Sequence, residues 1–150
     1  MNFSSLKRVV VVEGKTSSGK TAILMDVCSK LKAVNPASIP ICEERVGNDD
    51  CRLVMVGVGS RMTAVSTAGD DANCIMKSFM LAEVHRCEVL VMAVSEPAQS
   101  RTYPLAKTTF QEVVVANSLK PTVFRTAKTR PAQAKGYVDL SVVQQVMAAI

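Results

Sequence analysis

The sequence predicts a three-layer α/β domain, with a mainly parallel sheet and one antiparallel hairpin flanked by helices. Three observations carry that prediction. Apolar runs with strand character alternate along the chain with amphipathic helical patterns, the order that crossover connections between parallel strands produce. Hydrophobic residues make up 48% of the chain and aromatic residues only 4%, so the core falls to Val, Ala, Leu and Met. Those side chains fill sheets covered on both faces. The length of 150 residues suits one domain with a single well-developed core.

The elements follow in order. Lys7 to Glu13 reads as a buried strand because it holds four consecutive valines. A helix opens at the glycine-containing stretch after it and runs to about Lys32, closed by Asn35-Pro36. Ile39 to Glu43 is a short strand. Arg52 to Val58 and Met62 to Ser66 are β-rich runs whose separation by Gly59-Ser60 signals a hairpin. From Asp71 to His85, Ala72, Ile75, Met76, Phe79, Met80 and Val84 share one helical face, with Met76 and Met80 read as core and His85 as the helix end. Glu88 to Val94 is another apolar strand. Pro104 suits the first turn of a helix reaching about Asn117. Pro121 to Arg125 is a last strand and Asp139 to Ala149 a last helix, with Ser141 and Gln144 at capping-box spacing. No internal repeat, low-complexity tract or dividing linker interrupts residues 1–150.

Several classes are excluded. No run approaches the ~18 apolar residues of a membrane helix, and the Val9 to Val12 run is short for a signal-peptide core. Cys28, Cys42, Cys51, Cys74 and Cys87 are odd in number with no close pair, which reads as reduced thiols in a cytoplasmic protein. The net charge of +5 is concentrated: between Glu112 and Asp139 lie Lys120, Arg125, Lys128, Arg130 and Lys135 and no acid. This basic segment, 120–135, reads either as a site for an acidic partner or nucleic acid, or as a solvated loop.

The strongest motif is Gly14-Lys15-Thr16-Ser17-Ser18-Gly19-Lys20-Thr21, which fits G-x-x-x-x-G-K-S/T between a strand and a helix. Small residues let the backbone curl so that successive N–H groups point at phosphate oxygens, and the helix adds the positive end of its dipole. Lys20 then reaches the β- and γ-phosphates and the Thr21 hydroxyl ligates Mg²⁺. On these residues the chain resembles the P-loop NTPases, specifically over about residues 8 to 30 and in architecture beyond. The resemblance implies binding of ATP or another nucleoside triphosphate with Mg²⁺, and phosphoryl-transfer chemistry. Lys15 stands where the MinD/ParA-like ATPases carry a signature lysine that contacts nucleotide across a dimer face. That similarity implies a homodimer, although Thr16-Ser17 replaces the paired glycines of that group; a solvated loop lysine is the other reading.

Magnesium needs a carboxylate besides Thr21, and three places offer one. Ser66-Thr67-Ala68-Gly69-Asp70-Asp71 is similar to the D-T-A-G-Q-E switch of Ras-like GTPases. Ser66 stands at that family's aspartate, so the role passes to Asp70 or Asp71; the alternative for Asp70 is a helix N-cap. Glu96 follows the strand ending at Val94, like the acid at the end of a Walker B strand, and is otherwise a loop carboxylate. Glu43-Glu44 with Asp49-Asp50 form the third group, a mobile acidic switch or solvated surface. After the last strand, Ala127, Lys128, Thr129 and Arg130 occupy the positions of the Ras-like N-K-x-D. Lys128 keeps the lysine that packs along the base, but an arginine cannot accept the two guanine donors, so ATP is expected over GTP. Arg101, in the loop Ser95 to Tyr103, is a candidate for stabilising transferring phosphate, against a solvent-facing arginine.

The leading expectation is a small Mg²⁺-dependent ATPase with slow turnover. Lys20, Asp70, Glu96 and Arg101 are its catalytic candidates, Thr21 and Asp70 its metal ligands. A small-molecule kinase is the first alternative, with Pro97 to Tyr103 as its only lid-like segment. A non-hydrolysing, nucleotide-dependent interaction module is the second.

Overall fold

Valine at four consecutive positions presents branched side chains to both faces of a strand, and such a strand is stable only inside a sheet covered on both faces. In the computed structural model, which describes residues 3–15, 19–96, 105–126 and 138–150, the valines do this. They lie in β1 (Arg8–Gly14). Val10 and Val12 pack on one side with Ile23, Leu24, Val27, Val143 and Val146, while Val9 and Val11 pack on the other with Ile75, Phe79 and Phe110.

The remaining elements are α1 (Lys20–Val34), β2 (Cys42–Val46), β3 (Asp50–Val56), β4 (Met62–Ser66), α2 (Ala72–Val84), β5 (Val89–Ser95), α3 (Leu105–Ala116), β6 (Thr122–Arg125) and α4 (Leu140–Ala149). They build one six-stranded sheet in the order β2-β3-β4-β5-β1-β6. β1 runs parallel to β5 and β6, and β4 parallel to β5. Helices α1 and α4 share the core on one face; α2 and α3 share it on the other. The chain is therefore an α/β protein with a mixed, mostly parallel sheet. Among the described residues no helix is long and apolar enough to cross a membrane.

Four sequence expectations change. The short strand read at 39–43 lies at Cys42–Val46 and pairs antiparallel with β3, so β2, β3 and β4 form a meander with two antiparallel pairings rather than one hairpin. The turn between β2 and β3 rests on Gly47, whose φ of 63° is open to glycine at little cost. On α2 the buried stripe is Ile75, Ser78, Phe79 and Ala82. Met80 and Val84 are 46% and 74% exposed. Met80 stands five residues from Ile75, well off the buried face, and Ser78 takes the inner position because its hydroxyl has a partner there. The N-cap of α2 is Asp71, whose side chain accepts from Cys74 N at 2.8 Å, and not Asp70. Likewise α4 is capped by Asp139, which accepts from the backbone N–H groups of Ser141 and Val142, rather than by a Ser141–Gln144 box.

Candidate functional site

The parallel strands β1, β4, β5 and β6 end together, and the loops leaving them converge around the start of α1. Backbone hydrogen bonds tie these exits to one another. Glu96 N donates to Gly14 O at 2.9 Å, Thr126 N to Glu13 O at 2.9 Å, and Ser95 N to Gly69 O at 2.9 Å. Gly69 is required at this crossing: a Cβ there would lie 1.9 Å from Ala93 O. Only a residue without a side chain lets the exit of β4 cross β5 this closely.

Of the loop that opens α1, Gly14, Lys15, Gly19, Lys20 and Thr21 are described; Thr16, Ser17 and Ser18 lie outside the described residues. Gly19 precedes the helix with φ 94°, a left-handed conformation that glycine adopts freely. Lys20 is 6% exposed, and its Nζ donates to Gly14 O at 3.0 Å and Lys15 O at 2.6 Å. The ammonium thus bridges the first limb of the loop with donor capacity to spare. Burial lowers the Lys20 pKa, and the charges of Asp70, Glu96 and Asp50, in that order, oppose the shift. Three carboxylates, from the start of β3 and the loops that follow β4 and β5, therefore act on one buried ammonium. The Lys15 side chain is exposed.

The acids are held differently. Asp50, the first residue of β3, accepts from Thr21 Oγ1 at 3.2 Å and from Thr67 Oγ1 at 2.8 Å. Thr67 Oγ1 in turn accepts from Cys51 N at 2.9 Å. Asp70 accepts a hydrogen bond from Ser95 Oγ at the end of β5. Glu96 lies 3.9 Å from Arg125 Nε. Asp71 is engaged as the α2 cap described above. The acid placed against the Thr21 hydroxyl is thus Asp50, from the acidic connection, while Asp70 and Glu96 are engaged by Ser95 and Arg125.

Ser66 takes no part in this cluster. It is fully buried and turned toward α2, where Ser78 Oγ donates to Ser66 Oγ at 2.7 Å. The alternation of β4 explains this: Ser66 shares its face with Ala64, which packs among the α2–α3 side chains, so the loop side of the sheet is reached only by the residue after it, Thr67.

Two features escaped the sequence reading. Glu13, the penultimate residue of β1, is 5% exposed and carries two cations. Lys107 Nζ meets Glu13 Oε1 at 2.6 Å as an ion pair, and Arg125 Nε lies 3.4 Å from Oε2. These charges and Gln111 help line a mainly apolar cavity of about 280 Å³ beneath α3, walled by Val11, Phe110 and Val123. Arg125, counted in the basic segment, is therefore paired with acids. The second feature is Thr67, for which hydroxyl chemistry gave a weak signal, its partner Asp50 being distant in sequence.

Thr21 Oγ1 and Asp50 Oδ1 are hard oxygen donors of the kind Mg²⁺ takes, alongside phosphate oxygens and water. Their separation matches two neighbouring positions around such an ion, which keeps several waters and needs few protein ligands. Among the described residues no three His, Cys, Asp or Glu side chains gather into a metal cluster. Arg101 and Lys128 lie outside the described residues, as do Arg130 and the whole lid-like segment 97–103. Comparison of the chain with protein-family models, with curated proteins and with solved structures finds no match.

Proposed function

We propose that this protein binds a nucleoside triphosphate with Mg²⁺, with ATP as the nucleotide, and hydrolyses it slowly. The observation that carries the reading is the pairing of a buried Lys20 ammonium, clasped by Gly14 O and Lys15 O, with the Thr21–Asp50 oxygens at the same helix start. Lys20 would neutralise the β- and γ-phosphates, while Gly19 and the first backbone N–H groups of α1 face the triphosphate. Thr21 and Asp50 would hold the metal. Three carboxylates beside a triphosphate repel it strongly unless a cation stands between them, which makes Mg²⁺ part of the reading rather than an addition to it. Asp70 and Glu96 are then the acids available to orient a water. Arg101 and Lys128 keep their proposed roles at the transferring phosphate and along the base.

The non-hydrolysing module has one observation in its favour. The position that resembles the Ras-like aspartate is Ser66, and its side chain is committed to Ser78. Phosphate release from ATP, with and without candidate acceptors, separates the readings. Release without an acceptor, reduced by Glu96→Gln or Asp70→Asn, is expected for the ATPase. Release only with an added metabolite would mean a kinase, and tight binding with no release would leave the module.

A further inference from the structure

The stripe of α1 that carries Thr21 continues at helical spacing through Met25, Cys28 and Lys32. Every member meets the β2–β3 hairpin. Thr21 donates to Asp50 at 3.2 Å, and Met25 Sδ lies 3.3 Å from Cys51 Sγ. Cys28 lies between Met25 and Lys32 on this stripe, so it faces the same hairpin beside Cys51. The interaction of the two thiols pushes the Cys28 thiol up and holds the Cys51 thiol below the usual cysteine value, at about 7. Lys32 Nζ meets Glu43 Oε1 at 2.7 Å. Cys28 is buried behind the seam while Cys51 is partly open to solvent. The other three cysteines stand elsewhere: Cys42, on β2, packs against the core on the opposite, α2–α3 face of the sheet from Cys28, Cys74 N donates to Asp71, and Cys87 is buried in that same α2–α3 core.

We propose that Cys28 and Cys51 form a thiol-oxidation site at which a hydroperoxide joins the two sulfurs and clamps the β2–β3 hairpin onto α1. The accessible Cys51 sulfur attacks the terminal oxygen of the hydroperoxide. The O–O bond breaks, an S–O bond forms, the alcohol (water, for hydrogen peroxide) leaves, and Cys51 becomes a sulfenic acid. The Cys28 sulfur then attacks the Cys51 sulfur; the S–S bond forms and the hydroxyl departs with the Cys28 proton as water. Two thiols lose two electrons and the hydroperoxide gains them.

The clamp acts one residue from Asp50. Cys51 is bound through its N–H to Thr67 Oγ1 and through its carbonyl to Thr67 N at 3.0 Å, and Thr67 donates to Asp50. Fixing Cys51 to α1 therefore holds the Thr21–Asp50–Thr67 group together. This consequence rests on the nucleotide reading above; the oxidation site itself does not.

The test uses the full chain treated with hydrogen peroxide, mapped as unreduced peptides. A linked Cys28–Cys51 peptide that a dithiol reductant separates is expected. Recovery of both cysteines as free thiols, or linked to other cysteines, would overturn the site. In Cys28→Ala, a sulfenic acid should persist on Cys51 and be trapped by dimedone; in Cys51→Ala, Cys28 should stay reduced. Equal oxidation of Cys28 in the latter variant would contradict the assigned order of attack. Release of a fluorescent ATP analogue should then slow about fivefold or more on oxidation, the lower end of ordinary coupling between sites. Unchanged or faster release would refute the clamp. A protein that forms the disulfide but binds no nucleotide would refute the nucleotide reading alone.

Discussion

Thr21 at the start of α1 donates a hydrogen bond to Asp50 at the start of β3, with 3.2 Å between the two oxygens. The contact joins the loop-bearing helix to the sheet strand next to the β2 edge. It also singles out one acid among the three groups that the sequence offered.

Asp50→Asn should weaken nucleotide affinity in the presence of Mg²⁺ by about tenfold or more, in line with the loss of one oxygen partner at a metal site. Affinity measured in EDTA should barely change. Asp71→Asn, which alters only the α2 cap, should leave the Mg²⁺ effect intact. An Asp50 variant indistinguishable from wild type would remove Asp50 from the metal.

Gly69→Ala should destabilise the fold by about 1–3 kcal/mol, the usual cost of forcing extra volume into a packed site. Its Cβ would collide with Ala93 O, and relief requires the exit of β4 to move away from β5. That movement separates Asp70 from Ser95, so phosphate release should fall along with the urea midpoint. An unchanged midpoint would show that the crossing is looser than its geometry indicates.

Burial of Lys20 gives a pH dependence of defined sign. Its folded pKa is below the ordinary lysine value of 10.5. The cost of keeping the buried group charged is thus present in full at neutral pH. It is lost as pH rises from the folded pKa toward 10.5. Without nucleotide, the stability of the wild type relative to Lys20→Met should therefore increase between neutral and alkaline pH. Urea denaturation of both proteins across that range checks this; a difference that falls with pH has the wrong sign.

Ser66→Asp should not create a hydrolase. It would place a carboxylate in a fully buried site facing Ser78, at a cost of about 3 kcal/mol or more. Turnover by the surviving folded fraction should not exceed wild type. A rise in phosphate release would mean that the β4 exit can turn its side chain toward the loop.

The sheet was legible because its signals are local. Four adjacent valines, the Gly59-Ser60 turn and the Asp139 helix start each act within a few residues. The β2 strand was displaced in the reading because Glu43, Glu44 and Arg45 carry no apolar alternation, and its position is set by pairing with β3 and the Gly47 turn. Met80 looked like core because a wide apolar face was drawn where the packed stripe is narrow and includes a serine. At the site, Gly14, Gly19, Lys20 and Thr21 follow a contiguous pattern. Asp50 did not stand out among its acidic neighbours, since what distinguishes it is contact with Thr21 and Thr67, residues far along the chain. Glu13 was hidden for the same reason: its partners Lys107 and Arg125 come from α3 and β6.

Titration calorimetry of MgATP into wild type and Lys20→Ala tests the central claim most directly. Wild type should bind one nucleotide, and Lys20→Ala, with its circular dichroism unchanged, should show no heat of binding. Equal affinity in both proteins, or no binding by wild type, would contradict the assignment of this loop to a triphosphate.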